Sequence, residues 1–540
     1  MKKSLALVLV VLLLSLSLGS VKAAQLYWGE SLGGVGWFTF NDAIVLEDGS
    51  IVAVGSAGME RDNHDLLVVK FSPSGLVEWA ETLGGPRDDY AKAVTVGPNG
   101  DLIVVGATKS FGAGNYDVWV VRLRPDGRVI WERTYGGQSD DRAMGVTIDN
   151  DGKIIVVGGT TSFGSGPGKS SDLLVMKLSG LGDVIWSRTY GRVKWDWGTS
   201  VVTDPKGYIY VGGTYWLGTV DYDILGRGGN GLILKLDPNG NLVWDRSIGD
   251  YGNDWIAEIK LLGKDVLFVG ATKSFGAGDY DVWIGKLNES GNLEWVRTYG
   301  GIGKDVGTSL VLAGSRLIVG AYTDSSPNHR ATDAWVLSLT DDGRLEWAET
   351  LGGPRDDYIL GMVGYPVVAV GATSSFGTGQ LSAWILKLPE NGAIPTLHIK
   401  DPGFAEEEFK GMTYEVKPPV TSPTLELGKA EVKVESTGAP PKRLSPKVSF
   451  QFYPGKPPSI KETSTSSTST TTQTTQTKTQ SQTSSASTST TSTASQTTHT
   501  TSSLSHTGHA TTTPSPKKEK GGICGPGFVV LLALLAARRR

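Results

Sequence analysis

One cysteine in 540 residues, Cys524, excludes any disulfide within the chain. A secreted domain without that staple needs a large hydrophobic core. Histidine is almost as scarce. Only His64 and His329 fall in the first 390 residues, which argues against a multi-histidine metal centre there. No excess of one charge exists either. With 51 Lys and Arg against 55 Asp and Glu, the formal net charge is −4 and the pI about 6.0, so nothing suggests a nucleic-acid partner. The first 390 residues also lack a helix of ordinary length, a His-Glu-x-x-His pair and a phosphate-binding Lys loop.

Glycine and tryptophan, by contrast, are plentiful at 72 and 16 residues. A Trp followed by polar residues and a glycine turn recurs as Trp28-Gly-Glu-Ser-Leu-Gly-Gly, Trp79-Ala-Glu-Thr-Leu-Gly-Gly and Trp131-Glu-Arg-Thr-Tyr-Gly-Gly. It returns at Trp186, Trp244, Trp295 and Trp347, always 51 to 58 residues on. Some copies are verbatim, Glu78–Tyr90 matching Glu346–Tyr358. The second unit predicts four strands, Ala91–Val96, Leu102–Thr108, Asp117–Leu123 and Val129–Tyr135. Two of them are almost continuously apolar, as strands buried on both faces are. Pro98-Asn99-Gly100 and Pro125-Asp126-Gly127 are hairpin turns in which glycine supplies the positive φ. Four short strands per ~50 residues, in tandem, predict propeller blades. Seven Trp strands and seven Val-Gly strands set the number, so residues 24–390 are expected to be an all-β, seven-bladed propeller. The first Trp strand precedes every other strand and the last unit lacks one, so the N-terminal strand should close the last blade and remove an open edge.

These repeats resemble the SBBP-type β-propeller repeats of bacterial and archaeal extracellular proteins. The residues that carry the resemblance are Asp172–Leu178, then Gly182–Trp186, then Tyr299-Gly300-Gly301, and it extends over about Leu26–Leu388. It implies a fold and an extracellular setting but no chemistry.

The flanks give an address. Residues 1–23 read as a signal peptide, with Lys2 and Lys3, the apolar run Leu5–Leu18 and the small-residue site Val21-Lys22-Ala23. Residues 391–462 are a Pro-rich extension in which Ala430–Glu435 and Lys447–Tyr453 alternate; either a small β module or strands lying on the propeller would fit. Residues 463–516 are a Ser/Thr-rich stalk in which Thr463–Thr513 holds one charged residue, Lys478. Such a tract buries too little apolar surface to order itself and suits O-glycosylation. Residues 517–540 end in Cys524-Gly525-Pro526, the apolar run Phe528–Ala537 and Arg538–Arg540. Ten apolar residues are too few for a permanent span. This tail resembles the CGP-CTERM signal of archaeal surface proteins. The resemblance implies cleavage, lipid attachment at Cys524 and anchorage to the cell envelope, with a short transmembrane helix as the other reading. Asn288-Glu289-Ser290 is the one Asn-x-Ser/Thr site in the propeller.

Within a four-stranded meander the long Gly-rich loops Lys109–Tyr116, Thr161–Ser171 and Tyr215–Asn230 share one end with the blade-to-blade links, and function is expected on that face. An Asp recurs before each innermost strand: Asp89, Asp141, Asp196, Asp254, Asp305 and Asp357, with Phe38 at that place in the first unit. Six carboxylates around a channel mouth would suit calcium; alternatively each Asp accepts hydrogen bonds from its own blade's turn. A second row, Asp65, Asp117, Asp172, Asp281 and Asp333, invites the same local reading. Trp37, Tyr90, Trp195, Trp197, Trp255 and Tyr358 lie beside the first row. Aromatics next to carboxylates suit a sugar, whose apolar face stacks while its hydroxyls are bonded; packing between blades is the alternative. The outer-strand Trp residues are expected to be core. The leading expectation is a monomeric, non-catalytic binding module for a glycan or protein, with no cofactor unless calcium binds. A hydrolase or lyase using the Asp residues, or a structural surface-layer component, are the alternatives.

Overall fold

The computed structural model describes residues 28–389, with short breaks at 34–35, 61–62, 165–169, 192–194, 217–227, 251, 326–330, 365 and 378–379, and six short strands between 412 and 450. The expected signal peptide, stalk and sorting tail, including Cys524, Gly525 and Pro526, lie outside the described residues. Seven antiparallel sheets form a seven-bladed propeller, and no helix occurs among the described residues. Blade two runs Asp89–Val96, Leu102–Thr108, Asp117–Leu123 and Val129–Gly136 from the axis outward, close to the strands expected. Trp28–Gly33 pairs with the third strand of blade seven, Ser31 opposite Trp384, so the N-terminal strand does close the ring.

The second and third strands carry the core. Leu102–Thr108 and Ile154–Thr160 are buried at every position, as sheets faced on both sides require. Trp119, Trp283 and Trp335, all on third strands, are 0 % exposed. The outer-strand Trp residues depart from expectation. Trp28 is buried, but Trp79, Trp131, Trp186, Trp244, Trp295 and Trp347 are half-buried. Trp28, Trp79, Trp131, Trp186, Trp244 and Trp295 each reach across to the tight turn of the next blade. Trp79 Nε1 donates to Pro125 O at 3.1 Å, Trp131 Nε1 to Gly180 O at 3.2 Å and Trp244 Nε1 to Glu289 O at 3.3 Å. The turn glycine is the seat: a Cβ at Gly75, Gly127, Gly240, Gly291 or Gly343 would press into the ring of Trp28, Trp79, Trp186, Trp244 or Trp295. Four residues after the Trp, Tyr135 Oη donates to Gly182 O at 2.6 Å, and Tyr190 and Tyr299 bond Gly240 O and Gly343 O in the same way. The Trp-to-Tyr repeat is therefore a clasp between successive blades at the rim of the disc.

The extension supplies strands to the propeller rather than a separate β module. Met412–Glu415 pairs with the outer strand of blade five, Val420–Thr421 with blade four and Glu426–Lys429 with blade three. Lys433–Glu435, Lys442–Arg443 and Lys447–Phe450 follow on blades two, one and seven. The chain thus adds a fifth strand to six of the blades, pairing the N–H and C=O groups of their outer edges. Among the described residues, blade six alone has four strands.

Candidate functional site

The first Asp row belongs to the blades. Asp89, Asp141, Asp254, Asp305 and Asp357 are at most 1 % exposed, and each accepts bonds from its own blade. Asp89 takes the N–H of Gly85 at 2.7 Å and Ser110 Oγ at 2.7 Å; Asp141 takes Gly137 N at 2.8 Å and Ser162 Oγ at 2.6 Å. Asp305 and Asp357 repeat this with Gly301 and Ser325, and with Gly353 and Ser375. Asp254 takes Thr272 Oγ1 and Ser274 Oγ. A Thr hydroxyl completes the set at Asp141 and Asp357 through Thr160 and Thr373. Asp196 is buried at the equivalent place and donates its N–H to Ser171 O. The carboxylates pin the blade link to the loop between second and third strands. Among the described residues, no three His, Cys, Asp or Glu side chains gather as a metal site.

The Gly-Gly link follows from the same packing. A Cβ on Gly300 would lie 2.1 Å from Asp281 Oδ1 and 2.6 Å from Asp305 Oδ2; Gly136 is flanked likewise by Asp117 and Asp141. On the second glycine, as at Gly137, a Cβ would strike Ser162, leaving only the N–H that the Asp accepts. The two Asp rows thus flank a glycine that has no room for a side chain. Burial, and then the charge of Asp305, push the Asp281 carboxyl up to about 7, and burial also raises Asp141, Asp305 and Asp357. An acid with a raised folded pKa binds more protons folded than unfolded, so stability is gained on acidification and lost as pH climbs from about 4 to about 7. At ~1.4 kcal/mol per unit the Asp281 contribution is at most about 4 kcal/mol. Asp281→Asn should remove it. Urea unfolding at pH 5 and pH 8 is expected to show the variant gaining on the wild type by about 2 kcal/mol or more at the higher pH; parallel pH profiles would contradict this.

The aromatics divide. Trp37, Tyr90 and Trp195 are half-buried at the long-loop end. Trp197, Trp255 and Tyr358 are only 5 %, 8 % and 1 % exposed, which corrects the expectation of open stacking platforms there. Sitting one residue inside the innermost strand, Trp197 and Tyr358 face the preceding blade, whereas Trp255 meets the second-to-third-strand loop of its own blade. Trp197 covers Gly159, Trp255 packs on Tyr280 at 5.1 Å and Tyr358 on Tyr322 at 5.1 Å, edge on. Trp255, Val306, Tyr322 and Tyr358 form one buried cluster with Trp37 against it.

The residue just before each buried Asp, singled out in the sequence only at Trp37 and Trp195, is the one that meets solvent. Trp37, Asp88, Asp140, Trp195, Asn253 and Asp356 are part-exposed at this entry position and Lys304 is exposed. Asp88 accepts from the backbone N–H of His64 and pairs with His64 Nδ1, both at 3.1 Å, and Tyr116 Oη donates to it at 3.3 Å. The bond from His64, with its charge, outweighs burial and holds Asp88 below its usual range. Arg142 stacks over Tyr116 at 3.9 Å, and Tyr90 leans on the same ring at 6.0 Å. This polar and aromatic group on blades one to three joins several of the expected site residues. Its signal in the sequence was the alternation of a strand: if Asp89 points inward, Asp88 points out. Part of Thr161–Ser171 and most of Tyr215–Asn230 lie outside the described residues.

The glycosylation site read in the sequence finds its place, and a spacing not singled out there is set aside. Asn288 Oδ1 accepts the N–H groups of Ser290 and Asn292 at 3.0 Å, which leaves its Nδ2 for a glycan. Gly29-Glu30-Ser31-Leu32-Gly33 has the spacing of a nucleophile elbow, but it lies inside a strand paired on both sides, with Ser31 3 % exposed. An elbow needs a strand-to-helix turn.

Along the axis, every innermost strand carries a bulge, at Asn41, Lys92, Met144, Thr199, Ala257, Thr308 and Leu360. A bulge frees ladder groups, and the preceding blade collects them. Asn41 Nδ2 donates to Ala91 O at 2.7 Å and Asp42 accepts Val94 N at 2.9 Å. Thr199 donates to Ile256 O and Ser200 accepts Ile259 N; Thr308 donates to Ile359 O and Ser309 accepts Met362 N. Glu258 accepts Leu310 N at 2.6 Å. These bonds surround a cavity of about 350 Å³ lined by all seven strands.

No family model matches the chain. A curated relative, the regulatory protein FlaEY of Caulobacter vibrioides, is 24 % identical over 396 residues, covering 67 % of this chain and 38 % of the relative. The chain therefore spans about two fifths of that protein's length. Among solved structures, Drosophila Plexin A in complex with Semaphorin 1b aligns at TM-score 0.38 with 9 % identity, over 68 % of this chain and 89 % of that one. An α-L-arabinofuranosidase from Fusarium graminearum aligns at TM-score 0.34 with 9 % identity, over 67 % and 98 %. At such scores the likenesses say nothing about chemistry.

Proposed function

We propose that the protein is a non-catalytic binding module displayed outside the cell, its ligand a glycan or protein held on the long-loop face. The observation that carries this reading is the long-loop end, where Trp37 and Trp195 at the entry position, and Tyr90 just inside its strand, stand half-exposed at the same end as Asp88, Asp140, Asn253 and Asp356. Rings that offer a flat apolar face next to hydrogen-bonding groups fit a sugar, and a rigid scaffold presents them on its loop end. The resemblance to SBBP-type repeats, the leader-like residues 1–23 and the CGP-CTERM-like tail around Cys524 support the extracellular, envelope-anchored setting.

A glycan array probed with the full chain tests it. Trp195→Ala and Tyr90→Ala should each weaken the best hit by about 1 kcal/mol or more, roughly fivefold, with little change in melting temperature. Protein recovered from native cells should lack Arg538–Arg540 and carry added mass at Cys524. Binding that survives both substitutions would remove the site from this face, and an intact, unmodified tail on the cell surface would remove the anchor.

A further inference from the structure

The axial cavity is lined by four charged side chains, Asp42, Lys92, Glu258 and Lys260. Three of them are committed. Asp42 accepts the N–H groups of Val94 and Ala43. Glu258 accepts Leu310 N and Ser309 Oγ and pairs with Lys260 at 2.5 Å. Lys92 differs. The other polar bulge residues, Asn41, Thr199 and Thr308, donate to the next blade, whereas among the described residues no acceptor bonds the Lys92 ammonium. Asp42 acts on it only through space.

A cation without a bonded partner, inside a cavity whose other charges are bonded, is a place for one negative charge. A doubly charged anion would be opposed by Asp42 and Glu258. The remaining wall mixes the hydroxyls of Thr95 and Thr147 with the apolar Met144 and Val363. About 350 Å³ lies at the small end of ligand pockets and accommodates a molecule of monosaccharide size. We propose that the axial cavity binds a small hydroxylated monocarboxylate, of the size and kind of a hexuronate, with Lys92 as its counter-ion. This site is distinct from the long-loop face and stands or falls without it.

The geometry also sets a pH dependence. Burial pushes Asp42 up to about 7, with Glu258 adding to the rise and Lys260 opposing it, and burial brings Lys92 down to about 8. No other titratable side chain lines the cavity among the described residues. An anion beside Lys92 is repelled by ionised Asp42 and accepts a hydrogen bond from the protonated form. Binding is therefore linked to proton uptake and weakens as pH rises through 7, by about tenfold between pH 6 and pH 8.

Calorimetric titration of the full chain with sodium glucuronate, glucose and inorganic phosphate at both pH values tests this. One glucuronate should bind per chain, about tenfold more weakly at pH 8. Lys92→Met should cost at least about tenfold in affinity, as loss of a charge-assisted bond does, and Lys92→Arg should restore most of it. Asp42→Asn should flatten the pH profile; if loss of that blade-to-blade bond unfolds the chain, the Lys92 pair decides alone. Equal binding of glucose, equal binding of phosphate, or an unchanged affinity in Lys92→Met would each overturn the proposal.

Discussion

A chain lacking residues 25–34 is expected to melt about 6 °C or more below the full chain, or to fail to fold. The strand Trp28–Gly33 is buried at all six positions, with Trp28 5 % and Leu32 1 % exposed. Burying two such side chains stabilises by about 1.5–3 kcal/mol each. The strand is also hydrogen-bonded on both flanks, to Ser382–Lys387 and to Lys447–Phe450, so its loss exposes one edge and unseats the other partner. Trp28 further seats on Gly75 of blade one and donates to Pro73 O, joining the last blade to the first. Together these come to about 5 kcal/mol or more, and the ~2.1 cal/mol/K per residue of unfolding entropy over residues 28–389 converts this to about 6 °C or more. Scanning calorimetry of both chains is the check. Coincident transitions would mean that the ring does not depend on this closure.

The fold was legible because a propeller repeats its signals. Seven Trp strands, Asn-Gly and Asp-Gly turns and apolar runs such as Leu102–Thr108 each point to the same strand boundaries, and the offset of the Trp strands, one before the first unit and none after the last, pointed to the closure. The local role of Asp89 and its counterparts was also legible as one of two readings, since a residue present once per blade can be satisfied within the blade. What one blade cannot show is the contact between blades. The half-burial of Trp131 arises because its seat, the turn at Gly180, belongs to blade three. The burial of Trp255 is completed by Val306 and Tyr322 of blade six and Tyr358 of blade seven, distant in sequence. The axial group is further hidden: Asp42 and Glu258 occupy the position after a bulge, and a bulge shifts the two-residue alternation by which faces are read. The path of residues 412–450 around the disc was open in the sequence because Ala430–Glu435 and Lys447–Tyr453 show strand alternation without naming a partner.

The difference between the two kinds of Trp yields a contrast in stability that each blade motif alone would not suggest. Trp283 is 0 % exposed on a third strand, packs edge-on against Phe268 at 5.3 Å and donates Nε1–H to Trp255 O at 2.9 Å. Gly231 and Gly270 approach its ring so closely that no Cβ fits, so the surroundings are shaped to this side chain. Trp283→Ala leaves a cavity costing about 3–5 kcal/mol, and orphaning the buried Trp255 carbonyl adds about 1 kcal/mol or more. Trp131 is half-buried at the rim, and its partner Gly180 O also accepts Arg122 Nη1. Water can fill the space it leaves, so Trp131→Ala should cost about 1–2 kcal/mol, the worth of one hydrogen bond and partial burial. Urea unfolding separates the two: a large fall in midpoint for Trp283→Ala and a small one for Trp131→Ala, each with an unchanged slope. If the rim substitution proved the costlier, the clasp between blades, and not the core within them, would be the principal support of the disc.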